Sequence, residues 1–469
     1  MSEVLETIEE MSTLDVLSPS DGSLLRTVRT HNMSEAHYML ERARALFDDR
    51  QNWLPIHARV AILQKLAELL AAEAEGFSRL IAQEGGKPIC DARIEVERAI
   101  SGIEYAADEV FNVMQGAEVS MQRSLSAGGK RAFTSYEPIG VVVAVSAFNH
   151  PLNLIVHQVV PAIALGCPVI VKPAEATPLC CLDFVDLIQQ AGLPDGWVQA
   201  CVCTNDVAEM LVTSAQINFF SFIGSAKVGW YLKSKLAPGV RCALEHGGVA
   251  PTIVDKSADL EATVASLLRG AFYHAGQVCV STQRIFAEST VVAILAKKMA
   301  EGAAKLKVGN ALLEATEVGP LINRQAADRV EAWVQEAITS GANCLQGGHR
   351  ISDHLYAPTV LLSPSTSARV STEEIFGPVV SIYGYRDLDA AIAQANSLDV
   401  AFQAAVFAQN VDIVKHCFEH LDATAVMVNE NSSFRVDWMP FGGRHTSGYG
   451  MGGMSHTMRD LLQLKMMVF

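Results

Sequence analysis

Two short stretches of the sequence could do covalent chemistry together. In Ala271-Phe272-Tyr273-His274-Ala275-Gly276-Gln277-Val278-Cys279 a cysteine follows a helical pattern running from about Asp259 through Leu267, Leu268 and Phe272. Glycine readily takes the left-handed conformation at a helix end, so the pattern predicts a stop near Gly276. Cys279 then falls on a turn able to present its sulfur to a cleft. Such a cysteine is either a nucleophile or a small buried apolar residue, since free cysteine is among the most buried residue types. The stretch Leu244-Glu245-His246-Gly247-Gly248, with Glu245 placed 34 positions before Cys279, closes an apolar strand with a carboxylate and two glycines. A carboxylate at a strand end can serve as a general base, and a thiol needs a base or a site that favours its thiolate. Asn149, in Ser146-Ala147-Phe148-Asn149-His150-Pro151, ends another apolar run. Its amide can donate to a developing oxyanion, or it is a turn asparagine before a proline.

The chain around these residues predicts an α/β protein. From Pro138 onward strands and helices alternate. Gly140–Ser146 is a near-continuous β-branched run, as expected of a strand covered on both faces. A helix over Leu152–Leu165 and a strand over Pro168–Lys172 follow, and Thr177-Pro178 reads as a helix start with threonine as its cap. Strands are expected at Gly196–Val202, Ile217–Phe222 and Val240–Glu245, giving a parallel, Rossmann-like sheet with a cofactor at its carboxyl ends beside the topological switch. A second α/β region begins near Gly247. It holds a strand at Pro251–Val254, the helix before Cys279, a strand at Arg284–Phe286, and helices at Val291–Leu306, Arg329–Ser340 and Leu388–Asn396. Before Pro138, Met33–Asp48, Pro55–Glu73 and Asp91–Asp108 read as amphipathic helices, and Gly116–Tyr136 as a Ser-, Gly- and Arg-rich loop or hairpin. The apolar tail Leu462–Phe469 would be an exposed edge strand in a monomer.

Composition narrows the function classes. Among 469 residues half are hydrophobic and 19% charged, a globular balance with length for two or three domains. The net charge of −15 argues against nucleic acid and anionic membranes as partners. The N-terminus is acidic and lacks the pattern of a signal peptide, and the longest apolar region, Leu154–Val171, is broken by His157, Gln158, Pro161 and Pro168. Ten cysteines are scattered without paired spacing, and no second ligand cluster accompanies Cys180-Cys181 or Cys201-Val202-Cys203, so no metal site and a reducing, cytoplasmic location are expected. Gly448-Tyr449-Gly450-Met451-Gly452-Gly453 matches the dinucleotide fingerprint literally. No continuous strand feeds it and only 16 residues follow, so it is set aside.

Glu-His-Gly-Gly followed by Gly-Gln-Val-Cys at this spacing resembles the aldehyde dehydrogenase superfamily. Further matches run in order along the chain: Glu84-Gly85-Gly86-Lys87-Pro88, the Asn149 turn, Lys172-Pro173-Ala174-Glu175, Phe222-Ile223-Gly224-Ser225, Glu373-Glu374-Ile375-Phe376-Gly377-Pro378 and Pro440-Phe441-Gly442-Gly443. The resemblance implies three parts: an NAD-binding domain over 1–117 and 138–246, a catalytic domain over 247–445, and a small β oligomerisation element over 118–137 and 446–469. It implies Cys279 as nucleophile, Glu245 as the base that activates water, and Asn149 with the Cys279 N–H as oxyanion donors. Lys172 and Glu175 would hold the adenosine ribose. Gly224 and Ser225 would meet the pyrophosphate, Glu374 the nicotinamide ribose, and Phe376 would pack by that ribose and ring. Glu175 would repel a 2′-phosphate, which favours NAD, with NADP possible. The family usually has threonine where this chain has Ile223, and lysine where it has His445. The hairpin and the apolar tail imply a homodimer or homotetramer.

The implied reaction is oxidation of an aldehyde to a carboxylic acid through a thiohemiacetal and a thioester on Cys279. Relatives that pass the acyl group to coenzyme A generally lack a base at the Glu245 position. Such an acylating enzyme, or a catalytically silent NAD-binding protein, is the alternative. Asn149-His150-Pro151-Leu152-Asn153 with His157 resembles the branch acting on lactaldehyde, glyceraldehyde 3-phosphate and phosphonoacetaldehyde. His150 and Arg435 could face a polar or anionic aldehyde, or be a loop histidine and a surface ion-pair partner. Val278 argues the other way, because phosphate- and phosphonate-specific members often carry arginine immediately before the cysteine. The aldehyde itself stays open.

Overall fold

The computed structural model of the chain describes residues 12–469. Its first large sheet has six strands in the order Gly448–Tyr449, Arg241–Glu245, Phe219–Ile223, Val142–Val145, Val169–Lys172, Val198–Ala200. All neighbours are parallel except Gly448–Tyr449, which runs antiparallel to Arg241–Glu245 with Gly448 opposite Glu245. The chain lays down Val142–Val145, steps outward twice, then returns to its other side with Phe219–Ile223. That reversal is a topological switch, and it opens a crevice beyond the carboxyl ends of the two strands. Register brings Val145 level with Lys172 and Phe222, and Ile223 level with Glu245. The central strands are apolar on both faces because helices cover both.

The second sheet has seven strands in the order Asn343–Gln346, Thr359–Leu362, Val379–Tyr385, Arg284–Glu288, Pro251–Val254, Gln403–Phe407, Ala425–Val428. Only the Asn343–Gln346 pairing is antiparallel. A third, three-stranded sheet joins Glu118–Val119, Ala132–Pro138 and Leu462–Val468. The C-terminal strand pairs along its length with Ala132–Pro138 of its own chain, which leaves its other edge free. Leu464, Met466, Met467 and Phe469 are each more than half exposed along it. Among the described residues no helix is long and apolar enough to cross a membrane.

Three sequence expectations need correcting. Thr177 does not cap a helix. The helix is Leu179–Gln190, with Pro178 at the cap position and no side-chain cap bond from its own segment. Its first N–H groups, Leu179 and Cys180, donate instead to the buried carboxylate of Glu84 at 2.8 and 2.9 Å, so the cap comes from a different helix. The helix before Cys279 is capped by Asp259 and stops at Phe272, not near Gly276. A tight turn follows, in which His274, Ala275 and Gly276 all adopt positive φ (47°, 54° and 71°). At Gly276 a side chain would fall 2.1 Å from the Gly377 carbonyl oxygen, so the glycine is required by close approach as well as by conformation. The helix expected from Arg329 begins at Arg324, because Asn323 caps it by accepting from Ala326 N–H and its first turn is polar.

Candidate active site

A cleft of about 990 Å³ lies between the two large sheets and takes in the crevice at the switch. Cys279 is half-buried on its wall, on the turn that follows the strained segment. Gln277, fully buried, pins this turn: its Oε1 accepts from Ile322 N–H, while its Nε2 donates to the carbonyls of His274 and Pro320. The Cys279 carbonyl accepts from Gly248 N–H at 3.2 Å, which ties the cysteine turn to the glycines after Glu245. The Asn149 amide donates to the Gln277 carbonyl at 2.9 Å. An amide nitrogen carries two hydrogens, so one N–H of Asn149 stays free for a ligand oxygen.

Glu245 ends its strand in the same cleft. Burial pushes its carboxyl up to about 7, against a smaller pull downward from the Arg435 charge. Burial, and then the Glu245 charge, push the Cys279 thiol up. A carboxylate poised near neutrality is the group matched to general-base work.

The cofactor end of the cleft is built at the strand ends. Ser225 precedes the helix Ala226–Lys233 in an extended conformation, and its hydroxyl makes no capping bond. Gly224 has the Phe222 ring against it, 2.9 Å from where a side-chain carbon would sit. Ile223 and Ala174 also line this end. Lys172 and Glu175 flank Ala174 without lining the cleft; Lys172 is buried, and its Nζ is 3.7 Å from the half-exposed Glu175 carboxylate. Glu374 lines the cleft with its Oε1 buried and unpartnered. Burial pushes its carboxyl up to about 8. Gly247 makes room for it, because any side chain there would overlap the Glu374 carboxylate. Phe376, at φ 47°, meets the Phe148 ring edge-on at 5.9 Å. An orphaned carboxylate oxygen, a free helix-start hydroxyl and a glycine-lined approach fit a dinucleotide's ribose and pyrophosphate.

The other end is polar and cationic. His150 is buried, with its Nε2 3.5 Å from the Tyr273 hydroxyl; burial and the Lys87 and Arg98 charges hold it neutral. Val278 packs with Val280, Phe402 and Phe441 in a small apolar cluster on the cleft wall. Arg435 is not a surface ion-pair partner. Its guanidinium carbon lies 3.6 Å from the centre of the Phe441 ring, and among the described residues no carboxylate lies within ion-pair distance of it.

Several residues here were missed in the sequence. Asp437 accepts from Arg98 Nε and Nη2, Asn153 Nδ2 and His157 Nε2, at 2.7–3.1 Å. Against burial, the His157 hydrogen bond and charge and the Arg98 and Arg435 charges hold its carboxyl far below the usual carboxylate range. Glu95 is fully buried in an ion pair with Lys87, and its other oxygen takes the N–H groups of Leu152 and Asn153. That carboxylate fixes the turn carrying Asn149 and His150. The available signal was Asp91, Glu95 and Arg98 at helical spacing within an apolar stripe, where solvated charges do not belong.

A model of the aldehyde dehydrogenase family matches residues 7–467. The 3-sulfolactaldehyde dehydrogenase of Priestia aryabhattai is 37% identical over 425 residues, covering 90% of this chain and 88% of the relative. Among solved structures, an aldehyde dehydrogenase from Physcomitrella patens in complex with the reaction product succinate superposes with a TM-score of 0.95. It is 32% identical and covers 98% of this chain and 95% of that one. A glyceraldehyde-3-phosphate dehydrogenase from Methanocaldococcus jannaschii complexed with NADP gives a TM-score of 0.93 at 32% identity, covering 98% and 100%.

Proposed function

Because this chain belongs to the aldehyde dehydrogenase family and oxidises an aldehyde to a carboxylic acid with NAD or NADP, we propose that Cys279, Glu245 and Asn149 carry the reaction. Cys279 Sγ gives its proton to water in the cleft and bonds the aldehyde carbon, and the C=O π electrons move onto oxygen to form a thiohemiacetal. Asn149 Nδ2 and the Cys279 backbone N–H donate to the oxygen that gains charge. The dinucleotide, when bound, supplies the hydride acceptor, held by Gly224, Ser225 and Glu374 with Lys172 and Glu175 at the adenosine ribose. Loss of hydride leaves a thioester on Sγ. Glu245 then takes a proton from water, the hydroxide oxygen bonds the acyl carbon, and the C–S bond breaks with its electrons on sulfur. The carboxyl pushed up to about 7 at Glu245 supports this role and argues against transfer to coenzyme A. Glu175 favours NAD over NADP.

The substrate is a short aldehyde with an anionic tail. The observation that carries this is Arg435. At the substrate end Arg98 is paired with Asp437 and Arg269 with Asp91, while Arg435 faces the cleft without a carboxylate partner. A cation so placed is satisfied by a carboxylate, sulfonate or phosphate on the ligand. The named substrates and product of the three relatives above are anionic as well. Initial-rate NADH formation across neutral, carboxylated, sulfonated and phosphorylated aldehydes tests it. An anionic aldehyde should exceed its neutral analogue by ~100-fold in kcat/KM, about 2.7 kcal/mol, and Arg435→Leu should erase that preference. A neutral aldehyde preferred by the unaltered enzyme would return the decision to Val278.

We assign residues 1–117 and 138–246 to the cofactor domain, 247–445 to the catalytic domain, and 118–137 with 446–469 to the oligomerisation element. The free, apolar outer edge of Leu462–Val468 supports a dimer or tetramer built on that strand. The ten free cysteines support a reducing cytoplasm.

A further inference from the structure

Asn153 begins the helix Asn153–Leu165 and lines the substrate end of the cleft, where it is only 2% exposed. Its backbone N–H donates to Glu95 Oε1 at 3.1 Å, and its side-chain Nδ2 donates to Asp437 Oδ1 at 3.0 Å. The two bonds fix backbone and side chain together. Asp437 is held ionised, so it can only accept. Turning the Asn153 amide over would set oxygen against that carboxylate, and its orientation is therefore settled by the network. Oδ1 is left as a buried acceptor with no donor among the described residues.

A buried acceptor without a donor is costly, and this one belongs to the wall of the space that the aldehyde enters. Carbonyl, carboxylate, sulfonate and ionised phosphate oxygens cannot satisfy it, because they too only accept. The donors that a small aldehyde can carry are a hydroxyl or an ammonium. Arg98 and Arg435 line the same end, and an ammonium there would meet two cations. That leaves the hydroxyl. The anion-seeking cation is close by. Arg435 Nη2 lies 3.5 Å from His157 Nε2, and His157 Nε2 donates to the same Asp437 oxygen that holds the Asn153 amide. One short ligand can meet both.

We propose that Asn153 Oδ1 is a hydroxyl-reading subsite, and that the substrate is an anionic aldehyde with a hydroxyl on the chain between its aldehyde carbon and its anionic group. The hydroxyl donates to Asn153 Oδ1 while the aldehyde carbon meets Cys279 and the anion meets Arg435. Three fixed points of attachment accept one configuration at the hydroxylated carbon and refuse its mirror image. An aldehyde lacking the hydroxyl leaves Oδ1 buried and bare. This rests on Arg435 receiving the anion.

Four aldehydes test it, read by initial-rate NADH formation. Glyceraldehyde 3-phosphate and 3-oxopropyl phosphate differ by the hydroxyl alone, and lactaldehyde and propanal repeat that difference without the phosphate. In the unaltered enzyme one enantiomer of glyceraldehyde 3-phosphate should exceed 3-oxopropyl phosphate by at least ~10-fold in kcat/KM. Asn153→Leu should bring that ratio, and the ratio between enantiomers, to about 1, with unchanged NAD affinity certifying its fold. Equal kcat/KM for the two phosphates in the unaltered enzyme overturns the subsite without recourse to any variant. A hydroxyl preference that survives in Asn153→Leu overturns it as well. If the phosphates exceed the neutral pair but neither pair responds to the hydroxyl, the subsite alone fails. If lactaldehyde exceeds propanal through Asn153 while the phosphates gain nothing over the neutral pair, the hydroxyl subsite stands and the anion reading fails.

Discussion

Arg435 stacks with its guanidinium carbon 3.6 Å from the centre of the Phe441 ring, within electrostatic reach of Glu245. Each charge favours the other, and Arg435 holds the Glu245 carboxyl below where burial alone would leave it. Hydrolysis needs ionised Glu245, so its rate should rise with pH through about 7. Arg435→Leu removes the downward pull, and the rising limb should move to higher pH. A pH profile of thioester hydrolysis checks this; an unmoved or downshifted limb contradicts the coupling. The same variant should lose anionic aldehydes selectively in kcat/KM.

Glu245→Gln should separate the two halves of the reaction. Acylation and the hydride step keep their sulfur and oxyanion donors, so a burst of about one NADH per site is expected. Steady turnover should then fall 10²–10⁴-fold. Stopped-flow absorbance reads both phases at once. Absence of a burst would assign Glu245 to acylation instead.

Removing the same charge should change the cysteine. The Glu245 carboxylate pushes the Cys279 thiol up, after burial itself. In Glu245→Gln that contribution is gone, the thiolate is easier to form, and alkylation of Cys279 by iodoacetamide at pH 8 should be faster than in the unaltered enzyme. Peptide mass mapping identifies the site among the ten cysteines. Slower alkylation would mean that Glu245 deprotonates the thiol rather than opposing its ionisation.

The cleft was legible where short motifs fix both residue type and backbone shape. Cys279, Glu245, Asn149, Glu374 and Phe376 all face one space, and the strand ends expected to hold the cofactor lie at the switch. Contacts between elements distant in sequence were not legible. Glu84 caps a helix that starts 95 residues away, and no local pattern near Thr177 signals it. Asp437 gathers Arg98, Asn153 and His157 from two other helices, and alone in its loop it reads as a surface carboxylate. Arg435 was ambiguous for the same reason: only packing on Phe441 distinguishes a buried cation from a solvated one.

Asp437→Asn should therefore act at a distance from the chemistry. It keeps the shape but weakens the hold on Arg98 and His157, whose charge-assisted bonds contribute about 1.5–3 kcal/mol each in such settings. Arg98 would then be a second unpaired cation beside Arg435. The expected result is a raised KM for the best anionic aldehyde through lost geometry, or a lowered one through added charge, with kcat within ~3-fold in either case. A fall in kcat beyond 10-fold with unchanged KM would instead place Asp437 in the reacting machinery.

Glu374 is stored at a cost to the empty enzyme. Its carboxyl is buried beside Gly247 with Oε1 unpartnered, and burial pushes it up to about 8 from an ordinary 4.5. A group raised on folding contributes stability that is present below about 4.5 and lost as pH climbs through about 8. Glu374→Gln has nothing to ionise. Without cofactor it should melt a few degrees above the unaltered enzyme at pH 8 and within about one degree of it at pH 5. Its affinity for NAD should fall, because an amide replaces the acceptor offered to the ribose hydroxyls. Thermal melts at the two pH values, each with and without NAD, decide it. A stability difference that does not grow with pH would show that the Glu374 carboxyl titrates in the folded protein as it does in the unfolded chain, unraised by burial, and unchanged NAD affinity would remove it from the cofactor's contacts.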